Sequence, residues 1–201
     1  MRIGVLALQG DVEEHCRKIK ECKAEPVLVR SDSELKSVSG LIIPGGESTT
    51  IGLLLKKSGL DKKIIERAKK GMAIYGTCAG AILIAKVIIG SKQPRLGLLD
   101  ITIRRNDYGR QIDSFEADIE IKGFNHKLRA IFIRSPVIEK VNNTQVLSTF
   151  NNKPVLVRNG NILISTFHPE LTTDKRIHNY FIREVQKGDK IPPNFSQIPL
   201  K

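Results

Sequence analysis

Three short stretches of this 201-residue chain gather residue types able to carry out nucleophilic chemistry. The first is Gly76-Thr77-Cys78-Ala79-Gly80, a thiol flanked by two glycines. It follows an apolar run and precedes a helical pattern, so it reads as a strand-to-helix elbow. A nucleophile on such a turn is exposed at the carboxyl edge of a sheet, where open α/β folds bind their ligands. The helix dipole and unpaired N–H groups at a helix start stabilise the negative charge of a thiolate. The flanking glycines permit a strained backbone and close packing. A cysteine by itself is more simply a small buried hydrophobe; the elbow and its glycines favour a nucleophile at Cys78.

The second stretch is Phe167-His168-Pro169-Glu170, at the end of an apolar run. Residues two apart in extended backbone point the same way, so His168 and Glu170 can face one site, with Pro169 stiffening the link. A thiol needs a base, and an imidazole needs an acidic group to set its tautomer and steady its cation. A single histidine after a strand is more often structural; beside a carboxylate and an elbow cysteine it is a candidate acid–base. The third stretch is Pro44-Gly45-Gly46-Glu47-Ser48-Thr49-Thr50. Adjacent glycines let the Gly45 and Gly46 N–H groups turn toward a ligand, where one can bind a developing oxyanion together with that of Ala79. The plainer alternative is a strand-to-helix turn with Ser48 as N-cap. A phosphate loop is disfavoured, because the Gly-Lys-Ser/Thr ending is missing.

These stretches need elements that bring them together. Strands are predicted at 3–8, 26–30, 41–43 and 72–75, alternating with helices at about 12–23, 48–57, 61–70 and 79–87. That alternation implies crossover units and a parallel sheet. Asp11, Glu13 and Glu14 suit the positive end of the first helix. The second half is β-rich, with segments at 99–104, 115–121, 129–133, 145–149, 153–158 and 161–167. Turn residues lie between them, as at Asn106-Asp107-Tyr108-Gly109, and Asn159-Gly160 marks a hairpin. A last helix at about 174–187 closes one domain spanning 1–187. The stretch 188–201, with three prolines, reads as an extended or loose tail. The expected class is α/β: a mostly parallel open sheet flanked by helices, with a β-rich second half.

Composition narrows the function classes. Hydrophobic residues at 40% and charged residues at 27% suit a soluble globular chain. No apolar run approaches the roughly 20 residues of a membrane span. The N-terminal apolar stretch is too short for a signal peptide and runs straight into Gly10-Asp11, so a cytoplasmic protein is expected. Cys16, Cys22 and Cys78 show no metal-ligand spacing, and no disulfide framework is expected. Cys16 and Cys22, six apart on the first predicted helix, are assigned to core packing. The net charge of +12 raises the possibility of nucleic acid, yet its 33 Lys and Arg are scattered in pairs and only 5% of residues are aromatic. A solvated basic surface, or one facing an acidic protein partner, is the better account.

In their order, these motifs resemble the triad-type (class I) glutamine amidotransferases. The resemblance is closer to one branch, the glutaminase subunits of pyridoxal 5′-phosphate synthases. It is carried by residues 4–10, 41–50, 76–80, 105–117, 132–136 and 165–171, and spans about residues 1–185. The resemblance implies a flavodoxin-like fold, with Cys78 as nucleophile, His168 as acid–base and Glu170 as its orienting partner. Gly46, Glu47, Ser48, Arg105, Ile133 and Arg134 match glutamine-binding positions, and Gly45, Gly46 and Ala79 the oxyanion hole. It further implies hydrolysis of L-glutamine without metal or organic cofactor, and delivery of ammonia to a barrel-type synthase subunit in a hetero-oligomer. No nucleic-acid or membrane partner is expected. A glutaminase for a different synthase, and a non-catalytic basic binding module, stand as rivals.

Overall fold

The computed structural model describes residues 1–105 and 114–187. The turn expected at 106–109 and the tail 188–201 lie outside them. The first half runs β1 (Arg2–Leu6), α1 (Val12–Glu21), β2 (Glu25–Val29), α2 (Asp32–Lys36), β3 (Gly40–Ile43), α3 (Ser48–Ser58), α4 (Leu60–Lys69), β4 (Ala73–Thr77) and α5 (Ala79–Ile84). The second adds β5 (Ala85–Ile88), β6 (Leu99–Arg104), β7 (Ser114–Ile119), β8 (Leu128–Ile133), β9 (Val137–Val141), β10 (Gln145–Phe150), β11 (Lys153–Asn159) and β12 (Ile162–Ser165). A 3₁₀ turn (Pro169–Leu171) and α6 (Arg176–Lys187) follow.

Seven strands form the main sheet in the order β10-β11-β12-β4-β3-β1-β2. From β12 to β2 all neighbours are parallel; β10 and β11 continue the sheet antiparallel. The central strands are buried on both faces, so their side chains alternate between two cores. Leu41 and Ile43 join Ile74 and Ile164 beneath α2–α5, while Ile42, Tyr75 and Leu163 face the core under α1 and α6. The ribbon β7–β8 covers this second face through Phe132 and Ile119. A three-stranded sheet, β5-β6-β9, completes the β-rich half.

This strand order fixes where a site forms. After β1 the chain moves outward to β2, then returns to β3 on the other side of β1. The carboxyl ends of β1 and β3 therefore open a crevice at a switch point, the usual ligand position in such sheets. Since β1, β3, β4 and β12 are side-by-side parallel neighbours, the loops after Leu6, Ile43, Thr77 and Ser165 emerge along one edge.

Most expected elements are present, with three additions. α2 lies outside the expected elements, although Ser31 and Glu34 form a capping box, a signal visible in the sequence. The helix expected at 79–87 stops at Ile84; Ala85 turns extended, and the β-branched stretch beyond pairs with β6 as β5. β9 likewise pairs with β6. The hairpin turn falls one residue later than expected, at Gly160 and Asn161, with Asn159 paired to Ile162.

Candidate active site

Cys78 sits between β4 and α5 with φ 46° and ψ −100°, a strained backbone for a residue with a side chain. Its N–H donates to Ser165 O on β12 at 2.9 Å, and its carbonyl accepts from Ile82 N in α5 at 3.2 Å. The strain thus falls on the cysteine itself, while the glycines supply the close packing expected of them. A Cβ on Gly80 would lie 2.1 Å from Ile43 O, and one on Gly76 would lie 2.7 Å from the Gly80 carbonyl carbon. Both let α5 pack directly on β3 and β4. The Cys78 thiol reaches Ile133 O at 3.9 Å.

The His168 ring and this thiol line the same cleft, and the thiol is among the groups that favour the His168 cation. His168 Nδ1 is 2.8 Å from Glu170 Oε1 and 3.3 Å from Asp11 Oδ2. With Nδ1 engaged by carboxylates, Nε2 is the nitrogen left for Cys78. Pro169 and Glu170 begin the 3₁₀ turn that folds the carboxylate back on the ring. Burial of His168 opposes its cation, but interactions with Asp11, Cys78 and Glu170 outweigh it and hold its pKa up to about 12. Burial pushes the fully enclosed Glu170 carboxyl up, against the pull of His168. Both effects keep a proton on the His168–Glu170 pair at neutral pH. Asp11, His168 and Glu170 also bring three ligand atoms within 4.8 Å, enough to hold a metal ion geometrically. Both carboxylates converge on the one ring nitrogen Nδ1, however, and a proton there satisfies all three.

A cleft of about 360 Å³ opens beside the thiol. Of the residues singled out in the sequence, Gly46, Glu47, Ser48, Cys78, Arg105, Ile133, Arg134 and His168 line it, joined by Gln9, Asp11, Ile82 and Leu171. Gly45, Ala79 and Glu170 lie behind its wall. Gly45 accepts from Asp11 N–H at 3.2 Å, and a Cβ on it would lie 2.5 Å from His168 Cε1. Gly46 has φ 145°, open to glycine and little else. Ala79 is the first residue of α5, where N–H groups have no partner within the helix. Arg134, also in the lining, has φ 41°.

The helix cap differs from the expectation: Glu47, not Ser48, is the N-cap of α3, accepting from Thr49 N–H at 3.1 Å and Thr50 N–H at 2.6 Å. Slight burial works against the Glu47 carboxylate, but these hydrogen bonds prevail and hold its pKa down to about 2. Arg105 donates to Glu47 Oε1 at 3.1 Å, to Thr49 Oγ1 at 3.0 Å and to Gln93 Oε1 at 2.8 Å. The cleft therefore presents a fixed carboxylate beside a braced guanidinium.

Sequence reasoning missed Gln9, Gln93 and the reach of Asp11. Gln9 Oε1 accepts from Glu47 N–H at 2.8 Å, tying the loop after β1 to that after β3. Asp11, assigned to the dipole of α1, makes no side-chain cap and turns to His168. Cys16 and Cys22 pack against the core under α1 and α6, as expected. Burial raises both thiols, Cys22 to about 11, which leaves them poor nucleophiles.

Comparison with known proteins bears on the family and the fold. Residues 5–187 match the SNO glutamine amidotransferase family. The pyridoxal 5′-phosphate synthase subunit PdxT of Kosmotoga olearia is 54% identical over 188 residues, covering 92% of this chain and 98% of its own. The protein of that name from Thermotoga petrophila is 48% identical over 188 residues, covering 92% and 100%. Among solved structures, a glutamine amidotransferase superposes with a TM-score of 0.88 at 45% identity, covering 92% of this chain and 98% of that one. A chain of PurLQS from Thermotoga maritima shares the fold, with a TM-score of 0.65 at 18% identity and coverage of 92% and 95%. With the family match running from β1 to the end of α6, the chain belongs to the SNO glutamine amidotransferase family.

Proposed function

We propose that this chain hydrolyses L-glutamine to L-glutamate and ammonia as the glutaminase subunit of a pyridoxal 5′-phosphate synthase. The observation that carries the reading is the meeting of Cys78, His168 and Glu170 at the edge of a cleft that offers both a carboxylate and a guanidinium. Glutamine carries an α-ammonium and an α-carboxylate. Glu47 suits the first; Arg105 and Arg134 suit the second. Ser48 and the backbone at Ile133 border the rest of the substrate, so that the side-chain amide reaches Cys78.

The Cys78 thiolate attacks the amide carbonyl carbon, forming a C–S bond and an oxyanion. N–H groups of the Gly45-Gly46 loop and of Ala79 receive that charge. The tetrahedral adduct collapses as His168 protonates the nitrogen, and ammonia leaves. His168 then takes a proton from water, whose oxygen attacks the γ-glutamyl thioester and releases glutamate and the thiol. Glu170 holds the His168 ring and balances its cation throughout. The route draws on no metal or organic cofactor.

The names of the relatives from Kosmotoga and Thermotoga describe synthase subunits, which supports a hetero-oligomer in which ammonia passes to a barrel-type synthase subunit. A reaction run by a reduced thiol suits the cytoplasm, and among the described residues no helix is long and apolar enough to cross a membrane. Steady-state glutamine hydrolysis with and without pyridoxal 5′-phosphate synthase subunit tests the proposal. Slow turnover by the isolated chain and a large rise with that subunit are expected. A rise only with some other synthase would reassign the partner, and no hydrolysis with any would overturn the activity.

A further inference from the structure

Next to Glu170 lies a pair of further imidazoles that the acid–base route does not use. His15 on α1 and His178 on α6 are both fully buried, with His15 Nδ1 and His178 Nε2 3.0 Å apart. The other His15 nitrogen, Nε2, is 3.1 Å from Thr77 Oγ1, in the residue preceding Cys78, and 3.6 Å from Glu170 Oε1. Two helices and the end of β4 thus converge on the carboxylate. Glu170 Oε2 and His178 Nδ1 have no hydrogen-bond partner among the described residues. Such a buried polar cluster is costly unless its groups satisfy one another.

The proton positions follow from what each ring can donate. Burial, then nearby positive groups, push both histidines down, His178 to about 3, so both rings are neutral near pH 7. A neutral imidazole has one N–H and one lone pair, so one proton occupies the contact between the rings. If His15 supplied it, the His15 Nε2 lone pair would face the Glu170 carboxylate, and His178 Nδ1–H would be a buried donor without a partner. If His178 supplies it, His15 carries its proton on Nε2, donates to Thr77 Oγ1, and turns the positive end of that N–H toward Glu170. The unpartnered atom is then a lone pair, a milder defect than an orphaned N–H. The second arrangement is favoured on both counts.

We propose that His15 is a positioning residue of the glutaminase site: kept in its Nε2–H tautomer by His178, it steadies the ionised Glu170 and, through it, the His168 ring. At 3.6 Å the contact with Glu170 is an electrostatic one rather than a hydrogen bond, and the dry surroundings strengthen it. The inference rests on the reading of Cys78, His168 and Glu170 as a glutaminase triad.

The test measures steady-state glutamine hydrolysis by the full chain assembled with the synthase subunit. His15→Leu keeps bulk and removes both nitrogens. His15→Gln restores an amide N–H near the place of Nε2, whereas His15→Asn holds its amide nearer that of Nδ1. His15→Leu and His15→Asn should lose roughly ten- to hundredfold in kcat with KM nearly unchanged, the scale of one interaction with a charged group. His15→Gln should recover most of the loss. In a Glu170→Gln background, His15→Leu should cost less than about twofold more, since residues acting as a unit are non-additive. Wild-type kcat in His15→Leu, equal losses in His15→Gln and His15→Asn, or an undiminished loss in the Glu170→Gln background would each overturn the proposal. If thermal melts show His15→Leu unfolded, the Gln and Asn pair decides. An inactive wild-type complex would overturn the glutaminase reading itself, whereas an active one with an unaffected His15→Leu removes only the role of His15.

Discussion

The two walls of the cleft are built differently. On the His168 side, Glu170 and His15 are fully enclosed, and apart from the partly exposed Asp11 their partners come from elements rooted in the central sheet or packed on it. On the Arg105 side the side chains of Arg105 and Glu47 are 32% and 49% exposed, and the pair is held by loops and a helix cap. Water screens charges there, so each contact contributes less and can adjust. The contrast teaches a division of labour. The enclosed wall fixes ring orientation and protonation in advance, which suits a step whose charges change. In the proposed reaction the open wall faces groups that stay charged throughout, which suits binding.

Mutations on the two walls should therefore fail in different ways. The largest loss is expected at His168: His168→Asn should lower kcat of the activated complex by at least roughly 10⁴-fold. Glu170→Gln should follow at about 10²–10⁴-fold, and the double variant should be little worse than His168→Asn alone. Strictly multiplicative losses would assign Glu170 a separate task. On the open wall, Arg105→Ala should raise KM for glutamine about ten- to hundredfold while kcat changes much less, the mark of binding lost equally from ground and transition states. Full kinetic curves for the three single variants and the double separate these outcomes. An Arg105→Ala variant that lost kcat alone would dissolve the contrast between the walls.

The sequence made the edge of the site legible and its backing obscure. Cys78, Glu47 and His168 stand where an apolar strand ends, so their types and punctuation by glycine or proline reveal them. Alternating strands and helices likewise exposed the parallel half of the sheet. His15 and His178 carry no such marking, and Asp11, although it follows Gly10 after the first strand, reads as a partner of the α1 dipole. His15 occupies the same buried stripe of α1 as Lys18 and Ile19, and nothing local distinguishes it from a packing residue. Its meaning appears only when α1 and α6, 163 residues apart at His15 and His178, come together. β5 was hidden for a related reason: Ala79–Ile84 is wholly buried, and continuous burial shows no period that would mark the change from helix to strand.

The central claim is that Cys78 is the nucleophile, with Cys16 and Cys22 as bystanders whose thiols burial keeps protonated. The most direct measurement uses a glutamine analogue bearing an electrophilic diazoketone in place of the side-chain amide. The complex with the synthase subunit is treated with it, and the labelled peptide is located by mass spectrometry. One label per chain is expected, on Cys78, together with loss of hydrolysis and protection by L-glutamine. Label on Cys16 or Cys22 that tracks the loss of activity, or undiminished hydrolysis by a folded Cys78→Ala variant, would contradict the account.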